Sequence, residues 1–203
     1  MLMTEDSNTR HQQKMAKLKT QVDAGIAAAN EERGLVLLLT GDGKGKTSSA
    51  FGMVLRSLGY GHRVAVVQFI KGVQLSGEEI FLREQRPDVP FYQMGTGFTW
   101  DTQDRSGDIA AAERTWAVAE QHLRDPALQL VVLDELTYML SFRYLDEARV
   151  LTAIRERPPG QSVVITGRGG GSALRELADT VAEVQDIKHA FRAGIKARPG
   201  VDY

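Results

Sequence analysis

Short apolar runs alternate with segments of helical periodicity along most of the chain. Such runs are typical of strands that a parallel sheet buries on both faces. We predict strands over 35–39, 63–69, 91–94, 128–133, 162–166 and 181–187. Helical spacing of apolar residues predicts helices over 46–58, 78–86, 105–124, 146–157 and 174–178. This alternation predicts an α/β fold, with a mostly parallel sheet and helices on both faces.

The N-terminal segment has a different pattern, and we predict an arm over 1–33 before a main domain over 34–203. Residues up to about 10 are polar, and we predict them to be mobile. From residue 11 to 33 apolar residues recur at helical spacing: Met15, Leu18, Val22, Ile26 and Ala29. Such a stripe favours a helix packed on the domain or on a neighbouring subunit. A basic lid over bound ligand is the alternative.

A glycine-rich stretch joins the first predicted strand to its helix and reads T-G-D-G-K-G-K-T-S over 40–48. Backbone amides and the positive end of the following helix then point at one anion. Lys46 adds a charge for the phosphates, and the Thr47 hydroxyl suits Mg²⁺. Thr40 stands where the G-x-x-x-x-G-K-[ST] pattern has its first glycine. A chance Lys-Thr pair is the alternative, but the strand and helix around it favour a nucleotide site. The predicted binding residues are Gly41, Asp42, Gly43, Lys44, Gly45, Lys46, Thr47 and Ser48.

Charged residues also follow later strands. Asp134 and Glu135 close the fourth strand, and such an acidic end holds Mg²⁺ and its waters in phosphate-loop proteins. Lys71 and Arg168 lie in loops after strands, where they either reach phosphate or remain ordinary surface residues. The carboxyl ends of parallel strands meet at one edge of a sheet, so we expect one site.

Two aromatic residues, Phe98 and Trp100, lie in a glycine-containing loop after the third strand. They present flat apolar surface to a large ligand, or they are core residues. The residues alone leave both interpretations open.

Composition narrows the classes of function. With 25 basic and 26 acidic residues, the chain shows no overall attraction to nucleic acid or to an anionic membrane. It contains no cysteine, which excludes thiol catalysis and disulfides. No apolar run reaches membrane-spanning length, and the N-terminus lacks a signal-peptide pattern. We therefore expect a soluble, intracellular protein.

The missing motifs narrow the function further. No guanine-reading N-K-x-D sequence is present, which argues against a GTPase. No arginine-rich lid of a small-molecule kinase stands out, and the balanced charge gives little support to a DNA motor. An ATP site facing the loop with Phe98 and Trp100 remains.

The motifs together resemble the ATP:corrinoid adenosyltransferases of the CobA/BtuR type. The resemblance covers the chain from about residue 34 to its end, and the aromatic loop with the tail is its most specific part. The motifs are T-G-D-G-K-G-K-T-S at 40–48, V-V-Q-F-I-K-G at 66–72, M-G-T-G-F-T-W at 94–100, V-V-L-D-E-L-T-Y at 131–138, I-T-G-R-G at 165–169 and the tail at 188–203.

The resemblance implies a phosphate-loop, RecA-like fold and a defined reaction. A Co(I) corrinoid attacks the 5′ carbon of ATP and releases triphosphate, in adenosylcobalamin biosynthesis or salvage. Lys46, Phe98 and Trp100 are then the catalytic residues. Thr47 and Glu135 hold Mg²⁺ or Mn²⁺, with Asp134 behind them, and ATP lies in the loop in a reversed sense.

By the same resemblance, Phe98 and Trp100 displace the lower axial ligand of cob(II)alamin and make the four-coordinate Co(II) reducible. The implied partners are ATP, a cobalamin or cobinamide-type corrinoid, an electron-donor flavoprotein and a second subunit in a homodimer, in the cytoplasm. No nucleic acid or membrane partner is expected. A P-loop ATPase or small-molecule kinase, and a non-catalytic nucleotide-dependent binding module, are the alternatives.

Overall fold

The computed structural model describes residues 3–70, 75–95 and 104–203. Its strands are β1 (Val36–Thr40), β2 (Val64–Gln68), β3 (Phe91–Gln93), β4 (Leu130–Asp134), β5 (Ser162–Thr166) and β6 (Thr180–Glu183). They form a six-stranded sheet of order β3-β2-β4-β5-β1-β6. Every pairing is parallel. All strands therefore end at the same edge, as the sequence predicts.

Apart from the first, which precedes β1, the helices lie in the connections between strands. They are α1 (Met3–Ala28), α2 (Lys46–Gly59), α3 (Gly77–Gln85), α4 (Arg105–Arg124), α5 (Leu136–Ser141), α6 (Glu147–Arg155) and α7 (Gly171–Leu177). A 3₁₀ turn, Ala190–Ala193, follows in the tail. Within the described ranges, no helix combines the length and the apolar character that crossing a membrane requires.

Two hydrophobic clusters cover the two faces of the sheet. Leu38 and Val163 belong to one cluster, together with Trp116 of α4. Leu39 and Val164, their neighbours in sequence, belong to the other, together with Phe51 of α2. Alternate residues of a strand point to opposite faces, so apolar residues at consecutive positions require helices on both sides. The α/β fold with helices on both faces is confirmed.

Contacts divide the chain into two units, Met1–Glu32 and Arg33–Tyr203. The first unit contains the N-terminal helix, which begins at Met3 and ends at Ala28. Our prediction of a mobile segment up to residue 10 and a helix from 11 to 33 was wrong at both ends. Polar residues do not oppose a helix, and no glycine or proline occurs before Gly25. The described side chains of this helix, from residue 7 onward, are solvent exposed.

Several elements of the second unit begin or end one to three residues from the predicted bounds, and α5 and β6 differ most. Helix α5 was not predicted, because its six residues are too few to display a helical period. Strand β6 ends at Glu183, whereas we predicted an end at 187. The next residue turns over the glycine-rich loop, since the Val184 amide donates to Thr40 O and Val184 O accepts from the Gly43 amide.

Candidate active site

The glycine-rich loop depends on glycine for its backbone path. Gly41 and Gly45 have φ values of 95° and 116°, which residues with a Cβ rarely adopt. A Cβ on Gly41 would lie 2.4 Å from Val184 O, and one on Gly43 would lie 2.5 Å from Gln185 O. The chain after β6 therefore packs directly on the loop. Helix α2 begins immediately after Gly45, so its N-terminus lines the same cavity as the loop.

Lys46 lies in the first turn of α2 and is only 7 % exposed. Its Nζ donates to Gly43 O over 2.7 Å, within the loop. Burial lowers the pKa of Lys46, and the positive charge of Arg168 adds to this effect, while Glu135 opposes it. A bound anion would supply the negative charge that this buried ammonium group lacks. A lysine at this point, between a glycine-rich loop and the helix after it, is typical of phosphate-binding loops.

The carboxylate of Asp134, at the end of β4, accepts side-chain hydrogen bonds from Thr47, Thr166 and Gln68. The Thr47 hydroxyl donates to Oδ1 over 3.0 Å, and the Thr166 hydroxyl donates to the same oxygen over 2.6 Å. The Gln68 Nε2 donates to Oδ2 over 2.9 Å. Side chains from β2, β5 and α2 therefore hold this acid in place. Each of these contacts is favoured because the acceptor is charged.

Glu135 has a strained backbone and an incompletely paired carboxylate. Its φ is 58°, and its amide donates to the Thr166 hydroxyl over 2.9 Å. Among the described residues no donor reaches its buried Oε2. Burial, followed by the charge of Asp134, raises the pKa of Glu135 to about 7. Strain and a perturbed carboxyl together are typical of a functional residue.

The loop after β5 is tied to the glycine-rich loop. Thr40 Oγ1 donates to Gly169 O over 2.6 Å, and Thr137 Oγ1 donates to Arg168 O over 2.9 Å. The Arg168 Nε lies 3.9 Å from Asp42 Oδ1. Thr40, which departs from the phosphate-loop pattern, thus has a structural role, because its hydroxyl joins β1 to the loop that carries Arg168.

One cavity of about 820 Å³ brings most of the predicted site residues together. The predicted residues that line it are Asp42, Gly43, Lys44, Gly45, Lys46, Thr47, Ser48, Asp134, Glu135 and Arg168. Gly41 is not among the lining residues and contributes through the backbone turn. Lys71, Phe98 and Trp100 lie outside the described residues, so their positions stay predictions.

Sequence reasoning missed several lining residues. They are Gln68, Ile70, Ser76, Gly77, Glu78, Tyr138, His189, Gly200, Val201, Asp202 and Tyr203. Gln68 ends a strand, and that position was a usable signal. The tail offered no periodic signal. An ion pair of 3.0 Å between Lys44 Nζ and Asp202 Oδ1 holds it against the glycine-rich loop.

The oxygen atoms near Lys46 suit a hard divalent cation. Thr47 supplies a hydroxyl, and Glu135 supplies the buried Oε2 that has no donor among the described residues. A cation would remove this deficit, and its positive charge would counteract the raised pKa of Glu135 by favouring the ionised carboxylate. Within the described ranges no cluster of three or more histidine, cysteine, aspartate or glutamate residues is found. Mg²⁺ needs no such cluster, since phosphates and waters complete its shell.

Comparisons with known proteins identify the family of the chain. Residues 32–203 match the family described as ATP:corrinoid adenosyltransferase BtuR/CobO/CobP. Residues 3–26 match the family described as cob(I)alamin adenosyltransferase N terminal. The chain is 53 % identical to a corrinoid adenosyltransferase of Pseudomonas aeruginosa, over 98 % of both chains. It is 49 % identical to the corrinoid adenosyltransferase of Escherichia coli K12, over 97 % of this chain and 100 % of the relative. The corrinoid adenosyltransferase CobA of Salmonella typhimurium is equally similar, with the same coverage. The glycine-rich loop, the acidic strand end and the cavity between them thus occur in a chain that belongs to the ATP:corrinoid adenosyltransferase family.

Proposed function

We propose that this chain uses the cavity next to Lys46 to align ATP with a Co(I) corrinoid for transfer of the 5′-deoxyadenosyl group. The observation that carries the proposal is that the anion-binding loop and the Asp134–Glu135 pair line one cavity. The Co(I) lone pair forms a bond to the 5′ carbon while the carbon–oxygen bond to triphosphate breaks. The triphosphate leaves with that electron pair, and cobalt becomes formally Co(III).

The protein's contribution to this reaction is alignment and electrostatics. Co(I) is already a strong nucleophile, so no protein base has to activate it. The leaving triphosphate is highly charged, and the loop amides, Lys46 and Arg168 would neutralise it. ATP would lie in the loop in a reversed sense, with the ribose carbon and not the γ-phosphate at the reacting position.

We also propose that Thr47 and Glu135 hold Mg²⁺ or Mn²⁺, with Asp134 fixing Thr47 from behind. The support is the hydroxyl–carboxylate hydrogen bond of 3.0 Å and the buried Oε2 of Glu135, for which the described residues offer no donor. When bound, the cation would neutralise part of the phosphate charge. The residues then keep both substrate and cation in one orientation.

Several parts of the proposal rest on the family resemblance. Phe98 and Trp100 would displace the lower axial ligand of cob(II)alamin and shield that face. A flavoprotein would then deliver the electron that makes Co(I). A homodimer and a cytoplasmic location also remain predictions.

A direct assay tests the function. The protein is incubated with ATP, Mg²⁺ and chemically reduced cobalamin, the visible spectrum is followed, and triphosphate is measured. We expect a cobalt–carbon bond and one triphosphate for each bond formed. Phosphate release without a change in the corrinoid spectrum would instead indicate an ATPase or kinase, and no turnover would indicate a binding module.

A further inference from the structure

Gln68 is a buried polar residue at the carboxyl end of β2. It is 1 % exposed, and the strand register pairs it with Asp134 at the end of β4. It also lines the cavity that contains Lys46, Thr47 and Glu135. A glutamine so deeply buried needs hydrogen bonds for both ends of its amide.

Among the residues that the structure describes, only one end of this amide finds a partner. The Nε2 donates to Asp134 Oδ2 over 2.9 Å. An ionised carboxylate only accepts hydrogen bonds, so the NH₂ group must face Asp134 and the carbonyl oxygen must face away. That oxygen, Oε1, is buried, and no donor among the described residues reaches it. Within the described part of the chain, Oε1 thus still needs a donor, and a ligand or its water would bring one.

The chemistry of the cavity limits what this donor is. Triphosphate oxygens and the Glu135 carboxylate are acceptors. A water bound to a divalent cation is a strong donor, because the cation polarises it, and Mg²⁺ keeps several such waters. Asp134 links Gln68 to Thr47, since it accepts from Gln68 Nε2 and from the Thr47 hydroxyl. Asp134 thus connects the Gln68 amide to Thr47, the proposed cation ligand.

We propose that Gln68 is a positioning residue for the cation, with its Oε1 accepting a hydrogen bond from a cation-bound water while its Nε2 holds Asp134. This inference rests on the proposed cation site at Thr47 and Glu135. Gln68 touches neither the cation nor the reacting atoms. It orders the hydration shell and keeps the Asp134 carboxylate in the orientation that fixes Thr47.

The test measures cation binding without turnover. Mn²⁺ is titrated into protein with inorganic tripolyphosphate, free Mn²⁺ is read by electron paramagnetic resonance, and water proton relaxation reports the bound waters. Loss of a residue that orients metal ligands weakens binding by about 10–100-fold. We expect Gln68→Met to weaken Mn²⁺ by about tenfold and to change the relaxation enhancement, while tripolyphosphate affinity in EDTA stays the same.

The matched control is Gln93→Met. Gln93 is a glutamine at the end of the neighbouring strand, in register with Gln68, and it does not line the cavity. The Gln93→Met variant should bind Mn²⁺ with the affinity of the wild type. Gln68→Asn keeps an amide but withdraws it by one methylene, and it should show the same loss if Gln68→Met does not fold.

The outcomes separate this inference from the cation proposal. Wild-type protein that binds no Mn²⁺ in this assay would contradict the cation site itself, and Gln68 with it. Wild-type binding that Thr47→Val abolishes and Gln68→Met leaves unchanged would overturn the role of Gln68 alone. Gln68→Met could instead weaken Mn²⁺ binding in the presence of ATP but not in the presence of tripolyphosphate. That result would assign the donor to a ribose hydroxyl and would also overturn the proposed role of Gln68.

Discussion

The Thr47 hydroxyl donates a hydrogen bond to Asp134 Oδ1 over 3.0 Å, joining the first turn of α2 to the end of β4. Residues far apart in sequence thereby meet at the carboxyl edge of the parallel sheet. The bond places a hydroxyl and a carboxylate beside Lys46, which lines the same cavity. Both groups would serve the nucleotide and cation site that we propose.

Thr47→Val removes the hydroxyl while keeping the shape of the side chain. We expect kcat/KM for adenosylation to fall by about 10–100-fold, the range seen when groups that hold a metal are removed. The Mg²⁺ concentration needed for half-maximal rate should rise. The measurement is the visible spectrum of cobalamin across a Mg²⁺ titration. Thr47→Ser keeps the hydroxyl and is the control; an equal loss in both variants would contradict a role for the hydroxyl.

Lys46→Ala removes the buried ammonium group of the glycine-rich loop. In the proposed site this charge would face the triphosphate, so we expect weaker ATP binding and a kcat lower by about 100-fold. Calorimetric titration with ATP and the spectral assay report the two effects. Lys19→Ala, on the exposed face of α1, should leave both unchanged. Wild-type activity in Lys46→Ala would remove this residue from the site.

The raised pKa of Glu135 predicts that the stability of the folded protein depends on pH. This pKa is raised from 4.5 to about 7 by burial and by Asp134. In this window the folded protein therefore binds more protons than the unfolded chain, and the free energy of unfolding falls as pH rises. Glu135→Gln removes this cost. Without nucleotide or metal, the free energy of unfolding of the variant should be higher than that of the wild type by about 3 kcal/mol above pH 7. Near pH 4 the two values should be equal.

Urea unfolding in EDTA at both pH values measures this difference. Glu84→Gln, a change of the same type at an exposed position, is the control and should show no such pH-dependent gain. A difference between Glu135→Gln and wild type that is the same at both pH values would show that titration of Glu135 is not its cause.

Trp100→Ala tests the role that the resemblance gives to the aromatic loop. Displacing the lower axial ligand helps the reduction of cob(II)alamin. Cob(I)alamin is already reduced, so its reaction with ATP does not need this step. We therefore expect the loss of rate from cob(II)alamin to exceed the loss from pre-reduced cob(I)alamin by at least about tenfold, or 1.4 kcal/mol. Parallel assays from the two oxidation states measure this ratio.

The control for the aromatic loop is Trp116→Phe, in the core of the sheet, where Trp116 is 0 % exposed. Core damage should lower both rates by the same factor. If Trp100→Ala also lowers both rates equally, its assigned role in reduction is wrong.

Asp202→Asn weakens the contact between the tail and the glycine-rich loop. Lys44 Nζ lies 3.0 Å from Asp202 Oδ1, but both side chains are partly exposed. Such a pair contributes at most about 1 kcal/mol, so we expect KM for ATP to rise by no more than about fivefold. In a Lys44→Met background the same change should have no further effect.

An ion pair of the same type within α1 provides the comparison for the tail. Lys19 Nζ lies 2.8 Å from Asp23 Oδ2, and Asp23→Asn should leave KM for ATP unchanged. Additive effects of Asp202→Asn and Lys44→Met would show that the two residues do not act through their contact.

Much of the fold could be predicted from local patterns. Helix α4 and strand β5 have the bounds that the sequence predicts, 105–124 and 162–166. Both have clear periodicity and a boundary signal at their ends, such as Asp125-Pro126 after α4. Helix α5 and the start of α1 were missed, because the first is too short for a period and the second has no breaker that separates it from the polar residues before it.

The site could be predicted only in part. The glycine-rich loop, Lys46, Thr47 and the Asp134–Glu135 pair are visible in sequence because their chemistry depends on short motifs. Gln68, Tyr138 and the tail lie in stretches that carry the family resemblance, but no general chemical pattern marks them as site residues. They reach the cavity only through the order of the strands.

The spacing of apolar residues and short local motifs were enough to establish a parallel α/β fold, a glycine-rich loop after β1 and the family. Which strands are neighbours became clear only from the folded chain. The tertiary structure placed β2 beside β4, so that Gln68 meets Asp134. It also placed β6 beside β1, so that the chain after β6 closes over Gly43. Strand order depends on long-range packing of helices against the sheet, and no short stretch of sequence contains that information.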